Sequence, residues 1–122
     1  MGLEQQLEDF KQEFLRTAPA GRPALYEAKI EELRSSFALE TAAGVGTISP
    51  DLRLPDVRGD LVSLTDLLRD GPVVVTFYRG GWCPYCNTQL RAYQGALPHM
   101  AALGARLVAI SPQLPEQSLS TA

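Results

Sequence analysis

Apolar residues recur every three or four positions over the first third of the chain, then give way to short continuous runs. Leu3, Leu7, Phe10 and Phe14 stand four, three and four apart. That spacing aligns side chains on one face of a 3.6-residue helix, and Asp, Glu, Gln and Lys fill the other face. Thr17-Ala18-Pro19-Ala20-Gly21-Arg22-Pro23 breaks this helix. Pro23 suits the first turn of a second one, where a missing N–H forfeits no intrahelical bond. Tyr26, Ile30, Leu33 and Phe37 carry the same stripe through the second helix. No polar residue interrupts either stripe, so the pair reads as two amphipathic helices docking on a core or a partner, not as a seat of chemistry.

Residues 42–50 form a Gly- and Thr-containing linker, and the pattern changes beyond it. Leu52, Leu54 and Val57 lead into Arg58-Gly59-Asp60, with another apolar stretch over 61–64, which predicts a short hairpin around Gly59. Ser63 or Thr65 is placed to cap a short helix running through Leu68, and Asp70-Gly71-Pro72 to turn the chain. Val73-Val74-Val75-Thr76-Phe77-Tyr78 is an unbroken β-branched and aromatic run, the pattern of a strand covered on both faces as in a parallel sheet. Arg79-Gly80-Gly81-Trp82 reads as a loop, followed by a helical region over 84–103 that Gly95 and Pro98 should bend or split and Gly104 should end. A second strand is expected over 107–110. Strand, crossover helix and strand make a right-handed βαβ unit. The expected fold class is therefore α/β, with a helical pair and linker over 1–46 preceding a domain over 47–122.

Composition narrows the function classes. The chain has 122 residues, 45% of them apolar, and part of that length lies in polar helices, so one small core is expected. The net charge is −3, and Lys and Arg are scattered among acids without a basic run, which argues against nucleic acid or an anionic membrane as partner. No stretch approaches the roughly 18 consecutive apolar residues that a membrane span needs. Met1-Gly2-Leu3-Glu4-Gln5-Gln6 lacks the basic and apolar regions of a secretory signal, so a soluble cytoplasmic protein is the default expectation. Only two cysteines occur, at Cys83 and Cys86, which is no disulfide framework for a secreted mini-protein. Their adjacency favours redox work.

The placement of the pair gives that reading its physics. Pro84 fits the first helical turn, which sets Cys83 at the helix N-cap and Cys86 one turn inside. Unpaired N–H groups and the helix dipole stabilise negative charge at that end, so Cys83 should be thiolate-rich at neutral pH. Residues i and i+3 have Cβ atoms about 5–6 Å apart in a helix, and a disulfide prefers roughly 3.5–4.5 Å. Modest adjustment of the first turn closes the bond, and neither metal nor organic cofactor is needed. Two rival readings are half of an intersubunit zinc site, with distant His99 as the remaining soft ligand, and a pair of inert buried thiols. Trp82 is either a wall beside the thiols or ordinary packing. Tyr85 is expected to be exposed between the cysteines and to meet a substrate. Arg79 either raises the local positive potential or is a solvated loop residue.

Phe77-Tyr78-Arg79-Gly80-Gly81-Trp82-Cys83-Pro84-Tyr85-Cys86-Asn87 resembles the peroxiredoxin-like branch of the alkyl hydroperoxide reductase/thiol-specific antioxidant (AhpC/TSA) superfamily. The likeness extends through Leu54-Pro55-Asp56 and Val62-Ser63-Leu64 upstream and from Leu107 to Pro112 downstream, about residues 47 to 115, and the helical pair is also similar to that branch. Trp-Cys-x-x-Cys is shared with thioredoxins, and Cys-Pro-Tyr-Cys looks like the glutaredoxin version. The resemblance implies a thioredoxin-like fold and a thiol-dependent oxidoreductase acting on a protein disulfide or a peroxide, with a thiol reductant restoring it.

Peroxiredoxins proper carry Pro-x-x-x-Thr/Ser-x-x-Cys, and aligning Cys86 with their peroxidatic cysteine puts Arg79 on the Pro and Cys83 on the Thr. Both peroxide-orienting residues are replaced. The thioredoxin alignment instead makes Cys83 the exposed attacking thiolate and Cys86 the buried resolving thiol, the assignment adopted here, with Arg79, Trp82, Pro84 and Tyr85 facing the substrate. A thioredoxin-like domain is also expected to continue past the second strand with a helix, a cis-Pro loop and further strands, whereas the sequence ends at Ser118-Leu119-Ser120-Thr121-Ala122. The fold is thus expected to be incomplete, with an open strand edge that favours a homodimer or larger assembly. The rival from another class is a non-catalytic module that oligomerises through its helices and that edge.

Overall fold

The computed structural model describes residues 1–118. The chain runs α1 (Leu3–Thr17), α2 (Arg22–Ser36), a 3-10 turn (Leu39–Thr41), β1 (Arg53–Pro55), β2 (Leu61–Ser63), α3 (Leu64–Leu68), β3 (Val73–Phe77), α4 (Pro84–Ala102), β4 (Arg106–Ile110) and α5 (Pro115–Ser118). The final four residues, where the sequence places the chain's end at an expected next helix, lie outside the described residues. Two compact units are present. One spans Leu7–Pro50, and the other holds Met1–Gln6 and the residues from Asp51 onward.

In the first unit, Gly21 takes φ 82° ahead of α2, with Pro at the start of that helix as its sequence requires. Phe14 and Tyr26 stack with ring centroids 5.4 Å apart and planes 5° from parallel. The second apolar stripe stops earlier than its spacing implies. Phe37 leaves the helix in extended conformation, its N–H closing on the Leu33 carbonyl at 2.9 Å, and both side chains are exposed. Neither helix has a buried residue. No helix among the described residues is long and apolar enough to cross a membrane.

In the second unit, β1 and β2 pair antiparallel with Leu54 opposite Val62. Asp56 makes the turn: its carboxylate accepts the N–H groups of Arg58 (2.8 Å) and Asp60 (3.0 Å), and Gly59 supplies the φ of 89°. Ser63 then ends the strand and caps α3, accepting the Asp66 N–H at 3.3 Å. Asp51 ties hairpin to helix. It accepts from Arg53 Nε at 2.7 Å, from the Ser63 hydroxyl at 3.1 Å and from the Thr65 N–H at 3.1 Å. These donors, Arg53 foremost, hold its carboxyl well below the usual carboxylate range.

Strands β3 and β4 pair in parallel, Val73 opposite Arg106 through Phe77 opposite Ile110, with α4 as the crossover. Of the bend or split that Gly95 and Pro98 imply, the split does not occur: the helix runs unbroken from Pro84 to Ala102 with Pro98 inside. Pro98 removes the hydrogen bond to the Gln94 carbonyl, but both residues face solvent, where water satisfies that group. Gly104, at φ 71°, ends α4 as the sequence implies. Its N–H bonds the Ala101 carbonyl and that of Ala105 bonds Met100, both at 2.9 Å, the paired closure of a Schellman motif. The Gly104 carbonyl lies where a Cβ on Gly71 would come within 2.3 Å, so the 70–72 turn reaches the helix end only with glycine at Gly71.

The expectation that β3 is covered on both faces is corrected. No residue of β3 is buried, and Val74 and Phe77 are 42% and 70% exposed. The physical reason is that β3 pairs only with β4 among the described residues, so no further strand lies along its other edge. On the other side a cavity of about 320 Å³, lined by Leu54, Val62, Leu64, Val75, Val108 and Ile110 among others, opens between hairpin and sheet. Leu64 and Cys83 are the buried apolar residues among those described.

Candidate active site

The turn from β3 into α4 is built by backbone constraints. Tyr78 donates its N–H to the Ile110 carbonyl at 2.9 Å, which extends the β3–β4 ladder by one bond before the chain leaves the sheet at Arg79. Gly80 is buried, and a Cβ there would stand 2.4 Å from the Trp82 indole nitrogen, so any other residue would displace the Trp82 ring from its place beside Arg79. The Cys83 N–H bonds the Gly80 carbonyl at 3.1 Å. Gly81 is held on both sides of its residue: its N–H donates to Gln113 Oε1 at 3.2 Å and its carbonyl accepts from Asn87 Nδ2 at 2.7 Å.

Cys83 is the N-cap of α4 in extended conformation, with Pro84 as the first helical residue. Its Sγ accepts the Cys86 N–H at 3.4 Å and faces Arg79 Nη2 at 3.7 Å. The Arg79 main-chain N–H points at Cys86 Sγ at 3.4 Å. Its guanidinium also lies 5.0 Å from the centre of the Trp82 ring system, within cation–π range. Burial acts to push the Cys83 thiol up. Hydrogen bonds from the Cys86 side chain and backbone, together with the hydrogen bond and charge of Arg79, outweigh it and hold the thiol below its ordinary value. Both cysteines are free thiols.

Accessibility reverses the expected order. Cys83 is 1% exposed, whereas Cys86 is only half-buried. An N-cap side chain turns back over the first helical turn to reach its N–H groups, and at Cys83 the Arg79 guanidinium meets the sulfur there. Tyr85 is half-buried, not exposed as expected. Trp82 is 67% exposed, with its ring beside the Arg79 guanidinium and close to Gly80. Pro84 is exposed beside it, and His99 is exposed in the last turn of α4. Arg79, Trp82, Pro112, Gln113 and Gln117 line an open dish of about 450 Å³ next to the turn. Gln113 and Asn87 escape a sequence reading because lone amides form no motif; the only available signal for Asn87 is its place one residue after the Cys pair.

A parallel strand–helix–strand unit with a Cys-Pro-Tyr-Cys turn at the helix start defines a peroxiredoxin-like protein of thioredoxin-like fold. The chain belongs to the AhpC/TSA family, whose sequence model matches residues 45–122. No curated protein matches the chain. Among solved structures it is similar to the peroxidoxin BcpB from Mycobacterium tuberculosis, with 31% sequence identity and a TM-score of 0.61, covering 63% of this chain and 50% of that one. The chain thus spans about half the length of that relative.

Proposed function

We propose that the domain over 47–122 is a thiol-dependent oxidoreductase in which Cys83 attacks and Cys86 resolves. The observation that carries this reading is the convergence of the Cys86 N–H and the Arg79 guanidinium on Cys83 Sγ at a helix start. The Cys83 thiolate attacks one sulfur of a protein disulfide, forms a mixed disulfide and expels the other sulfur as thiolate. Cys86, losing its proton, attacks Cys83 Sγ, closes the intrachain disulfide and releases the second thiolate. With a peroxide, Cys83 takes the terminal oxygen as sulfenic acid and the alcohol or water leaves; Cys86 then condenses with it and releases water. A thiol reductant returns two electrons. Because Cys83 is covered, substrate entry displaces the Arg79 side chain, and Trp82, Pro84 and Tyr85 form the surface the substrate meets. The proposed setting is the cytoplasm.

A second assignment is favoured by one observation, the greater exposure of Cys86. There Cys86 is the sulfur a peroxide or disulfide first reaches. The exposed faces of Val74 and Phe77 support a non-catalytic oligomerising module instead, and also a homodimeric or larger form of the enzyme. Cys83→Ser and Cys86→Ser, assayed for disulfide reduction and peroxide consumption with mass spectrometry of trapped adducts, separate these readings. Under the main reading Cys83→Ser abolishes adduct formation and Cys86→Ser accumulates a mixed disulfide on Cys83. Adducts on Cys86 alone reverse the roles, and a parent chain with no turnover and no adduct on either cysteine leaves only the interaction module.

A further inference from the structure

The hydrogen bonds that hold the loop between β3 and α4 are unusual in their economy. Among residues 79–82 the Arg79 N–H meets Cys86 Sγ, and Gly81 is held by side chains at both its N–H and its carbonyl. One grip, Gln113, comes from the segment after β4, 32 residues away; the other, Asn87, comes from the first turns of α4. Glycine supplies no side chain to fix itself, so these two amides, with the Cys83 N–H on the Gly80 carbonyl, restrain the peptides on either side of it. Arg79 stands two residues before Gly81 and Trp82 immediately after it, and the guanidinium that lies by the Trp82 ring also meets Cys83 Sγ. Gln113 also packs against Gly80: its amide carbon would lie 3.3 Å from a Cβ there. Its own backbone N–H bonds the Ser111 hydroxyl at 3.3 Å, which fixes the segment that presents it.

We propose that Gln113 and Asn87 are positioning residues that clamp Gly81 and thereby hold Arg79 and Trp82 in register with Cys83. The proposal rests on the redox reading of Cys83, but it is tested on the thiol itself. Neither amide touches a sulfur, so each acts through the loop. Gln113 additionally couples the thiol turn to the end of β4, so that a ligand in the dish it lines with Arg79 and Trp82 acts on both at once.

The test uses the reduced full chain, Gln113→Met, Asn87→Leu and the double variant, with iodoacetamide alkylation followed per cysteine by mass spectrometry across pH. Removing one clamp is expected to slow Cys83 alkylation at pH 7 by about two- to tenfold, the range one ordinary hydrogen bond supports. The loss should vanish at high pH, where the thiol is fully ionised, and Trp82 emission should shift, since Trp82 is the chain's single tryptophan. Because both amides hold one residue, the double variant should lose little more than the worse single one. Losses that multiply, or a Cys83 pH profile unchanged in both single variants, overturn the clamp. Should Gln113→Met lose its circular dichroism signal, Gln113→Asn, one methylene too short to reach, carries the same test. The alkylation profile reads the clamp whether or not the protein turns over a disulfide, so failure here is distinct from failure of the redox reading.

Discussion

Arg79→Met isolates the charge beside the candidate nucleophile while keeping an unbranched stem of similar bulk. With Nη2 3.7 Å from Cys83 Sγ, Coulomb's law gives about 1 kcal/mol between guanidinium and thiolate at the dielectric of water and about 4 kcal/mol at an effective value of 20. Arg79 is exposed, so the lower figure applies. One kcal/mol converts to about a fivefold smaller thiolate population at a pH below the thiol's midpoint. The sign follows from charge: losing a cation disfavours the anion, and Cys83 alkylation near neutral pH slows. Arg79 also covers the sulfur, and removing it opens access. At high pH, where ionisation is complete, the variant should therefore match or exceed the parent, so the two rate profiles converge or cross. Salt offers a second axis. Between about 0.01 and 1 M the Debye length falls from about 30 to 3 Å, and the parent should lose much of its advantage. The measurement is iodoacetamide alkylation resolved by cysteine, at several pH values and two salt concentrations. Rates at Cys83 within twofold of the parent throughout, or an equal fall at Cys86, would refute the electrostatic role.

Two further changes probe the scaffold. Asp51→Asn should blunt the acid limb of the stability curve: the folded carboxyl lies below its ordinary value, so its contribution is full above about pH 4 and drains as the pH falls toward the folded-state value. Thermal melts of both proteins across that range check the sign, and parallel acid limbs would count against it. Gly104→Ala meets open space but must adopt φ 71°, and should cost about 1 kcal/mol, read as a lower melting temperature with unchanged Cys83 reactivity.

Much of this architecture was legible because local chemistry and global fold agree. Gly59 and Gly104 sit where positive φ is needed, Ser63 and Cys83 occupy helix N-caps, and the runs expected at 73–78 and 107–110 supply the strands 73–77 and 106–110, which pair in parallel. Three features were not legible, each for a different reason. The apolar pattern of β3 states what the strand can bury, not what lies beside it, so the exposure of Val74 and Phe77 has no signature in the run itself. Pro98 inside α4 defies a rule about lost hydrogen bonds that water can relax at an exposed site. The burial of Cys83 depends on where Arg79 folds, and that is decided by Trp82, Gly80 and an amide 30 positions downstream of the sulfur.

That last dependence bears on how the two cysteines divide their labour. A helix start by itself stabilises whichever sulfur caps it, and here that is Cys83. Exposure by itself selects the other sulfur, because Cys86 is only half-buried. Arg79, whose guanidinium faces the Cys83 sulfur at 3.7 Å, also lowers the thiol's proton affinity. Its main-chain N–H meanwhile faces Cys86 Sγ, so one residue touches both sulfurs, through separate groups. In the proposed mechanism, a substrate that draws the guanidinium aside leaves in place that backbone contact and the Cys86 N–H on Cys83 Sγ. The helix contribution to the thiolate therefore survives the opening, and the contribution of Arg79 does not. Reactivity in the open state should be set by the N-cap, and the resting state by the loop, which is why substitutions in the loop are expected to act most strongly below the thiol's midpoint and least above it.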